Sequence, residues 1–207
     1  MRNILLAGVG GQGTVLAAKV LAQAAQDRGW QVRTAETIGM AQRGGSVVSH
    51  VRMGDEGEAV HSPLLAHGSA DLIIAFEPAE AARVLPYLAP TGALVTATTA
   101  VQPVTAALSR EPYRAADMVA AIARALEGSG ARFIPVDDRV LVDAAGSRKV
   151  LNALLLAAAV AQGCTPLSLD DLRRAIAACV KPQFVDMNLH AVDIAVSGLA
   201  PQRYNQG

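Results

Sequence analysis

The segment of the sequence best equipped for chemistry is residues 36–52, which reads ETIGMAQRGGSVVSHVR. It combines a carboxylate, an amide, guanidinium groups and an imidazole with several glycines. A loop that only reverses the chain needs one or two turn residues. Glycines allow close approach to the backbone, and these side chains could bind an anion or transfer a proton. The segment is therefore our first candidate for a working surface, and an exposed polar hairpin is the alternative.

Two side chains in this segment have the clearest chemical potential. Arg43, which precedes Gly44 and Gly45, could bind a carboxylate or a phosphate through two parallel hydrogen bonds. His50 could exchange a proton near neutral pH, although a lone histidine is more often a structural one. On a strand, His50 would share a face with Arg52. The candidate site residues of the segment are Glu36, Met40, Gln42, Arg43, Gly44, Gly45, Ser46 and His50.

A second glycine-rich segment, GVGGQG at residues 8–13, lies between an apolar run and an amphipathic helix. It satisfies the pattern GxGxxG, in which backbone amides and the helix N-terminus favour a phosphate or a carboxylate. A dinucleotide site would also need an acid about 20 residues on, and Glu36 comes late for that role. A tight packing turn and a surface for a partner are the alternatives. The candidate residues here are Gly8, Gly10, Gly11, Gln12 and Gly13.

Composition narrows the class of protein. The chain has 207 residues, of which 52% are hydrophobic and only 17% charged, with zero net charge. This balance does not favour a nucleic-acid or anionic-membrane binder, and the shortage of charge suggests a surface covered by a partner. Cys164 and Cys179 lack metal-ligand spacing, so we expect no metal site and two buried thiols. Without a signal peptide or an apolar run of membrane-spanning length, we expect a cytoplasmic protein.

Apolar strands alternate with helices along the chain. Strands are predicted at 3–7, 31–35, 46–53, 71–76, 92–96 and 132–136, with a partner strand at 58–61 and an edge strand at 101–108. Helices are predicted from residue 13 to 29 and at 78–88, 117–127, 148–162, 168–178 and 185–197. This order predicts one α/β domain over 1–207. We expect a three-layer α/β/α sandwich with a mixed, mostly parallel sheet and a Rossmann-like first unit.

The two glycine-bearing segments together resemble the gamma-type domain of the 2-oxoacid:ferredoxin oxidoreductases. Among these enzymes they resemble the indolepyruvate type most closely. The similarity extends along the chain through DLIIAFEPAEAARVLPYL, the KVLNALLL run with Asn152, and the closing helix with Asn188. The chain has no P-loop, no thiamine-binding motif and no CxxC motif. A chain of this kind without a complete reaction centre suggests a subunit of a larger enzyme.

The resemblance implies a subunit that completes the site of a larger partner carrying thiamine diphosphate and iron–sulfur clusters. That complex would decarboxylate a 2-oxoacid oxidatively, transfer the acyl group to coenzyme A as co-substrate, and reduce ferredoxin. No cofactor would be bound by this chain alone, and an isolated chain could form a homodimer to cover its apolar surface. A stand-alone oxidoreductase that binds NAD(P) or FAD through the GxGxxG turn is the alternative, and a purely structural module is a third reading.

Overall fold

The computed structural model describes residues 1–39, 45–100 and 114–199. Within these ranges six strands form one sheet in the order β2-β3-β1-β4-β5-β6. The strands are β1 Arg2–Val9, β2 Gln31–Ile38, β3 Ser46–Gly54, β4 Ala70–Ala75, β5 Leu88–Ala97 and β6 Arg132–Val136. The helices are α1 Thr14–Asp27, α2 Pro78–Val84, α3 Ala115–Leu126, α4 Asp138–Ala145, α5 Leu151–Ala161, α6 Leu169–Cys179 and α7 Val185–Gly198.

The sheet is mixed and mostly parallel, as the sequence predicted. β1, β4, β5 and β6 pair in parallel, whereas β3 runs antiparallel to both β1 and β2. The chain turns back after β2, so β3 is inserted between β1 and β2. In register, His50 pairs with Leu5 of β1 on one side and Ala35 of β2 on the other. The expected β1–α1–β2 unit is present, but its two strands are not neighbours.

Helices cover both faces of the sheet, which confirms the three-layer arrangement. Ile4 and Leu6 of β1 belong to the core that contains α1, α5 and α6. Leu5 and Ala7, which alternate with them along the strand, belong to the core beneath α2 and α3. This alternation is the period-2 geometry of a strand with both faces buried.

The most apolar helix, α5, is buried along its length, as predicted. Residues 151–160 all have exposed fractions of 8% or less. The helix packs on the sheet through β4 and β5 and is covered on its other side by α7. Within the described ranges no single helix has the length and apolarity of a membrane span. The required length and apolarity are met only by two helical segments taken together, Asp138–Ala145 and Arg148–Ala161, and the chain bends by 117° between them.

Some elements differ from the sequence-based prediction. The predicted strand at 58–61 is irregular chain, since Val60 N–H donates to the Gln31 side chain instead of to a neighbouring strand. The helix expected to reach residue 88 ends at Val84, because Pro86 cannot continue a regular helix and a 3-10 turn follows. Helix α4 was not predicted. The predicted strand at 101–108 lies outside the described residues.

Candidate functional site

The glycine turn at residues 8–13 joins β1 to α1, and the side chain of Gln12 holds it in place. Gln12 Oε1 accepts the Val9 N–H at 2.7 Å, and Gln12 Nε2 donates to the Phe76 carbonyl at 3.0 Å. Phe76 follows β4, so this amide ties together the carboxyl ends of two neighbouring strands. A Cβ on Gly8 would lie 2.8 Å from Gln12 Oε1. Gly8 and Gln12 therefore shape the turn, while its outer residues face solvent.

The second glycine-bearing segment lies directly beside this turn. Gly10 N–H donates to the Gly45 carbonyl at 2.8 Å, and Gly39 N–H donates to the Ser46 carbonyl at the same distance. The two glycine-bearing segments therefore meet at one edge of the sheet. Four of the candidate residues lie outside the described residues: Met40, Gln42, Arg43 and Gly44.

Helix α1 begins without a side-chain cap. Its N-cap residue is Gly13 at φ 83°, and its first turn contains no acidic residue. Among the described residues, none accepts the N–H of Gly11 or Gly13. By contrast, α6 begins with a capping box formed by Ser168 and Asp171. The N-terminus of α1 therefore presents free amides and the positive end of the helix dipole, which favour an anion.

A depression of about 310 Å³ opens at this helix N-terminus. Its opposite wall is the start of α5, where Arg148 and Lys149 are exposed in a 3-10 turn. The lining residues are Gly11, Gln12, Gly13, Leu16, Arg148, Lys149, Leu151 and Asn152. Two cations and a set of free amides thus surround one cavity. This combination of charge and donors is suited to a phosphate or a carboxylate.

A groove of about 160 Å³ continues the depression between α1, α5 and α7. It shares Leu16, Lys149 and Asn152 with the depression and is otherwise lined by Val180, Phe184, Met187 and Asn188. Asn152 is 6% exposed, and a Cβ on Gly13 would lie only 3.0 Å from Asn152 Nδ2. An anion-binding site that leads into a mostly apolar groove fits a ligand with a negatively charged head and a longer, less polar body.

Arg148 and Lys149 were not predicted as site residues from the sequence. A signal was present, because these cations immediately precede an apolar helix, where the helix dipole disfavours positive charge. Asn152 and Asn188 were noted only as part of the family resemblance. The contact of Asn152 with Gly13 depends on the packing of α5 against α1, which sequence spacing does not reveal.

Ser46 and His50 lie on the other face of the sheet from the depression. Ser46 Oγ donates to Glu80 Oε2 of α2 at 2.5 Å and also accepts a hydrogen bond from Arg83. His50 is 5% exposed and accepts the Leu65 N–H on Nδ1 at 3.2 Å. Burial lowers the pKa of His50, so the neutral ring is favoured. Its position fits a hydrogen-bonded structural histidine, the alternative to a proton-transfer role.

Glu36 is exposed on β2 and pairs across the ladder with Ser49 of β3. In a Rossmann fold the acid that binds the ribose stands on the strand beside β1. Here β3 separates β1 from β2, so the strand that carries Glu36 lies about 10 Å from β1, where a neighbouring strand would lie about 5 Å from it. This strand order argues against the alternative of an NAD(P) or FAD site built from Glu36 and the GxGxxG turn.

Over the residues that the structure describes, the chain is a mixed α/β/α sandwich whose uncapped glycine turn borders a cation-lined depression. The chain belongs to the pyruvate ferredoxin/flavodoxin oxidoreductase family, whose model matches residues 3–198. The predicted membership, and the predicted role as a subunit of an oxidoreductase of this family, are confirmed.

The relatives are more specific than the family. The chain is 35% identical over 194 residues to the indolepyruvate oxidoreductase subunit IorB of Pyrococcus horikoshii, covering 94% of each chain. It is 36% identical over 200 residues to the protein of the same name from Archaeoglobus fulgidus, covering 95% of this chain and 96% of that one. The predicted similarity to the indolepyruvate type is therefore confirmed over nearly the whole chain.

Solved structures share the fold. The gamma subunit of a keto/oxoacid ferredoxin oxidoreductase from Geobacter sulfurreducens superposes with a TM-score of 0.67 at 21% identity, covering 95% of this chain and 97% of that one. The 2-oxoglutarate:ferredoxin oxidoreductase of Magnetococcus marinus, solved with 2-oxoglutarate, coenzyme A and succinyl-CoA bound, superposes with a TM-score of 0.69 at 18% identity. There the match covers 95% of this chain but 30% of that one.

Proposed function

We propose that this chain is the subunit that completes the reaction centre of a larger, thiamine diphosphate- and iron–sulfur-bearing partner. The complex converts a 2-oxoacid and coenzyme A to an acyl-CoA and carbon dioxide, and two electrons pass to ferredoxin. Arylpyruvates such as indolepyruvate are the proposed substrates. The names of the relatives at 35–36% identity over nearly the whole chain support this substrate class.

The redox cofactors are assigned to the partner on chemical grounds. Iron–sulfur ligation requires thiolates, and burial raises the pKa of the Cys164 and Cys179 thiols, which disfavours the thiolate. Both thiols are half-buried, more open than the buried positions expected from the sequence. The described residues also contain no group of three His, Cys, Asp or Glu side chains placed to hold a metal. The donors of this chain therefore do not fit a cluster.

Coenzyme A is the reactant that fits the depression. The observation that carries this assignment is the uncapped N-terminus of α1 facing Arg148 and Lys149 across one cavity. The phosphates of coenzyme A would accept hydrogen bonds from the turn amides and the two cations. The groove along Leu16 and Phe184 would receive part of its less polar body. This chain would thus bind and orient coenzyme A, while the thiol reacts in the partner's centre.

Exposed apolar residues support docking at the same edge of the sheet. Val15 is 44% exposed, Ile38 65% and Phe184 38%. Val15 and Ile38 stand in the first turn of α1 and at the end of β2, and Phe184 lines the groove. Large apolar side chains that remain accessible near one site indicate a surface that a partner covers. A partner seated there would enclose the depression.

The test is made on the complex. The chain is co-expressed with its thiamine- and cluster-bearing partner, and ferredoxin reduction is followed with indolepyruvate and varied coenzyme A. Lys149→Gln is expected to raise the KM for coenzyme A by about threefold to tenfold, the loss of one charge-assisted contact. Arg124→Gln removes one exposed cation from α3, on the opposite face of the sheet, and should leave that KM unchanged.

Three results would refute the proposal. The first is a chain that never associates with such a partner, and the second is a chain that turns over a 2-oxoacid without it. The third is a KM for coenzyme A that responds equally to Lys149→Gln and Arg124→Gln, which would place the coenzyme elsewhere.

A further inference from the structure

A fully buried carboxylate lies behind the cationic wall of the depression. Asp138, the first residue of α4, has an exposed fraction of 0%. Its Oδ1 accepts the backbone N–H groups of Thr98 and Thr99 at 2.9 and 2.8 Å. Its Oδ2 receives no hydrogen bond from the described residues, and Nη1 of Arg148 lies 3.4 Å from it.

Capping of α4 does not explain this carboxylate. The N-cap of α4 is Asp137, whose side chain accepts the Val140 N–H. A charge withdrawn from water is unfavourable unless hydrogen bonds and an opposite charge compensate it. The two threonine amides satisfy one oxygen of Asp138, and Arg148 is the charged group placed to compensate the other. Because helix capping does not account for the buried carboxylate, its ion pair with Arg148 is the contact that calls for a functional explanation.

Arg148 connects this buried charge to the depression. Its side chain is 42% exposed, and the residue lines the cavity opposite Gly11 and Gly13. A guanidinium carries five donors in a rigid planar fork. With Nη1 directed towards Asp138, the orientation of the plane is restricted and the remaining donors are available to a ligand.

We infer that Asp138 is a positioning residue that holds the Arg148 guanidinium in place for the anionic groups of coenzyme A. The inference rests on the proposed function, since it assigns the ligand of the same depression. Asp138 does not touch the ligand and acts only through Arg148. Fixing the guanidinium before binding reduces the conformational entropy lost when the ligand binds, and so strengthens binding.

Charge and position predict opposite results for Asp138→Asn. Removing the carboxylate makes the depression more positive, so a purely electrostatic role predicts tighter binding of an anion. The positioning role predicts weaker binding, because the amide cannot form an ion pair with Arg148. Asparagine can still accept the Thr98 and Thr99 N–H groups through its side-chain oxygen, so the local fold is kept.

The experiment measures the KM for coenzyme A, and kcat, in the complex with the partner. Asp138→Asn is expected to raise that KM about tenfold, because it weakens one charge-assisted hydrogen bond from Arg148 to coenzyme A. The change in kcat should be smaller. Asp143→Asn removes the same charge from an exposed position on the same helix and should leave KM unchanged. In an Arg148→Gln background, Asp138→Asn should have no further effect on KM.

Each outcome is decisive. An unchanged or lower KM in Asp138→Asn overturns the positioning role. A rise of the same size with and without Arg148 shows that Asp138 acts through the fold and also overturns it. If Arg148→Gln raises KM but Asp138→Asn does not, the proposed coenzyme site stands and the inference fails. If neither substitution changes KM, the coenzyme site itself is wrong.

Discussion

Replacing Gly13 with alanine tests whether the glycine turn serves the fold, the ligand or both. Gly13 has φ +83°, and an added Cβ would lie 3.0 Å from Asn152 Nδ2 in the wall of the depression. A residue with a side chain in this left-handed conformation costs about 1–2 kcal/mol. Asn152 would also have to shift by a few tenths of an ångström, which costs about 1 kcal/mol more if its rotamer is distorted.

Gly29 provides the matched control. It lies just beyond the opposite end of α1, about 20 Å from Gly13, with φ +77° and no atom within 4 Å of an added Cβ. Gly29→Ala therefore carries the same backbone cost without the contact to Asn152. A protein of this length loses about 2–4 °C in Tm for each kcal/mol. We expect Gly29→Ala to lower Tm by about 2–8 °C and Gly13→Ala to lower it by a few degrees more.

The functional readout separates the two variants further. In the complex, Gly13→Ala should raise the KM for coenzyme A about threefold or more, because it moves Asn152 and narrows the depression. Gly29→Ala should leave that KM unchanged. Thermal unfolding and steady-state kinetics on the same preparations measure both effects. Equal losses of Tm together with an unaltered KM in Gly13→Ala would refute the argument that this glycine is needed for close approach at the site.

Two further predictions concern stability. Burial lowers the pKa of His50, so the folded protein favours the neutral imidazole. The stability that this preference contributes is fully present above the unfolded pKa of about 6.5, and it is lost as the pH falls below that value. Between about pH 7 and pH 5, Tm should therefore fall less in His50→Gln than in the unchanged protein. The exposed-site control His61→Gln should behave like the unchanged protein. Equal slopes of Tm against pH in all three proteins would contradict a neutral, buried His50. Ser168→Ala removes the N-cap bond to the Asp171 amide and should cost about 1 kcal/mol, or about 2–4 °C in Tm, in calorimetry. No change in Tm would mean that the capping box does not stabilise α6.

Much of the fold follows from local patterns. The apolar run of β4, the capping box before α6 and the continuous apolar run of α5 each specify their element with little outside help. These signals are local because strand burial, capping and helix burial act within a few residues of the chain. Helix α4 was missed because its eight residues, DRVLVDAA, are too few to show a sustained helical period. The irregular chain at 58–61 was predicted as a strand because it follows a turn pattern. Its Val60 N–H instead binds the side chain of Gln31, which lies far away in the sequence.

Only part of the candidate site could be predicted from the sequence. The pattern GxGxxG identified the turn, and Ser46 and His50 were selected because they belong to the polar segment at 36–52. In the structure both side chains lie on the face of the sheet away from the depression, and His50 is about 13 Å along β3 from Ser46, since strand residues rise about 3.3 Å each. Arg148 and Asn152 reach the turn from more than 130 residues away along the chain, a distance that no local motif spans.

The sequence by itself determined the class of fold, the family and the glycine turn, because these depend on local backbone preferences and on motif residues that are contiguous in the chain. Only the tertiary structure decided which side chains share the depression. The insertion of β3 between β1 and β2 moved Glu36 away from the turn, and the packing of α5 against α1 brought the cations to it. Electrostatic and steric interactions act through space, so the partners of a helix N-terminus follow from packing and not from their spacing along the chain.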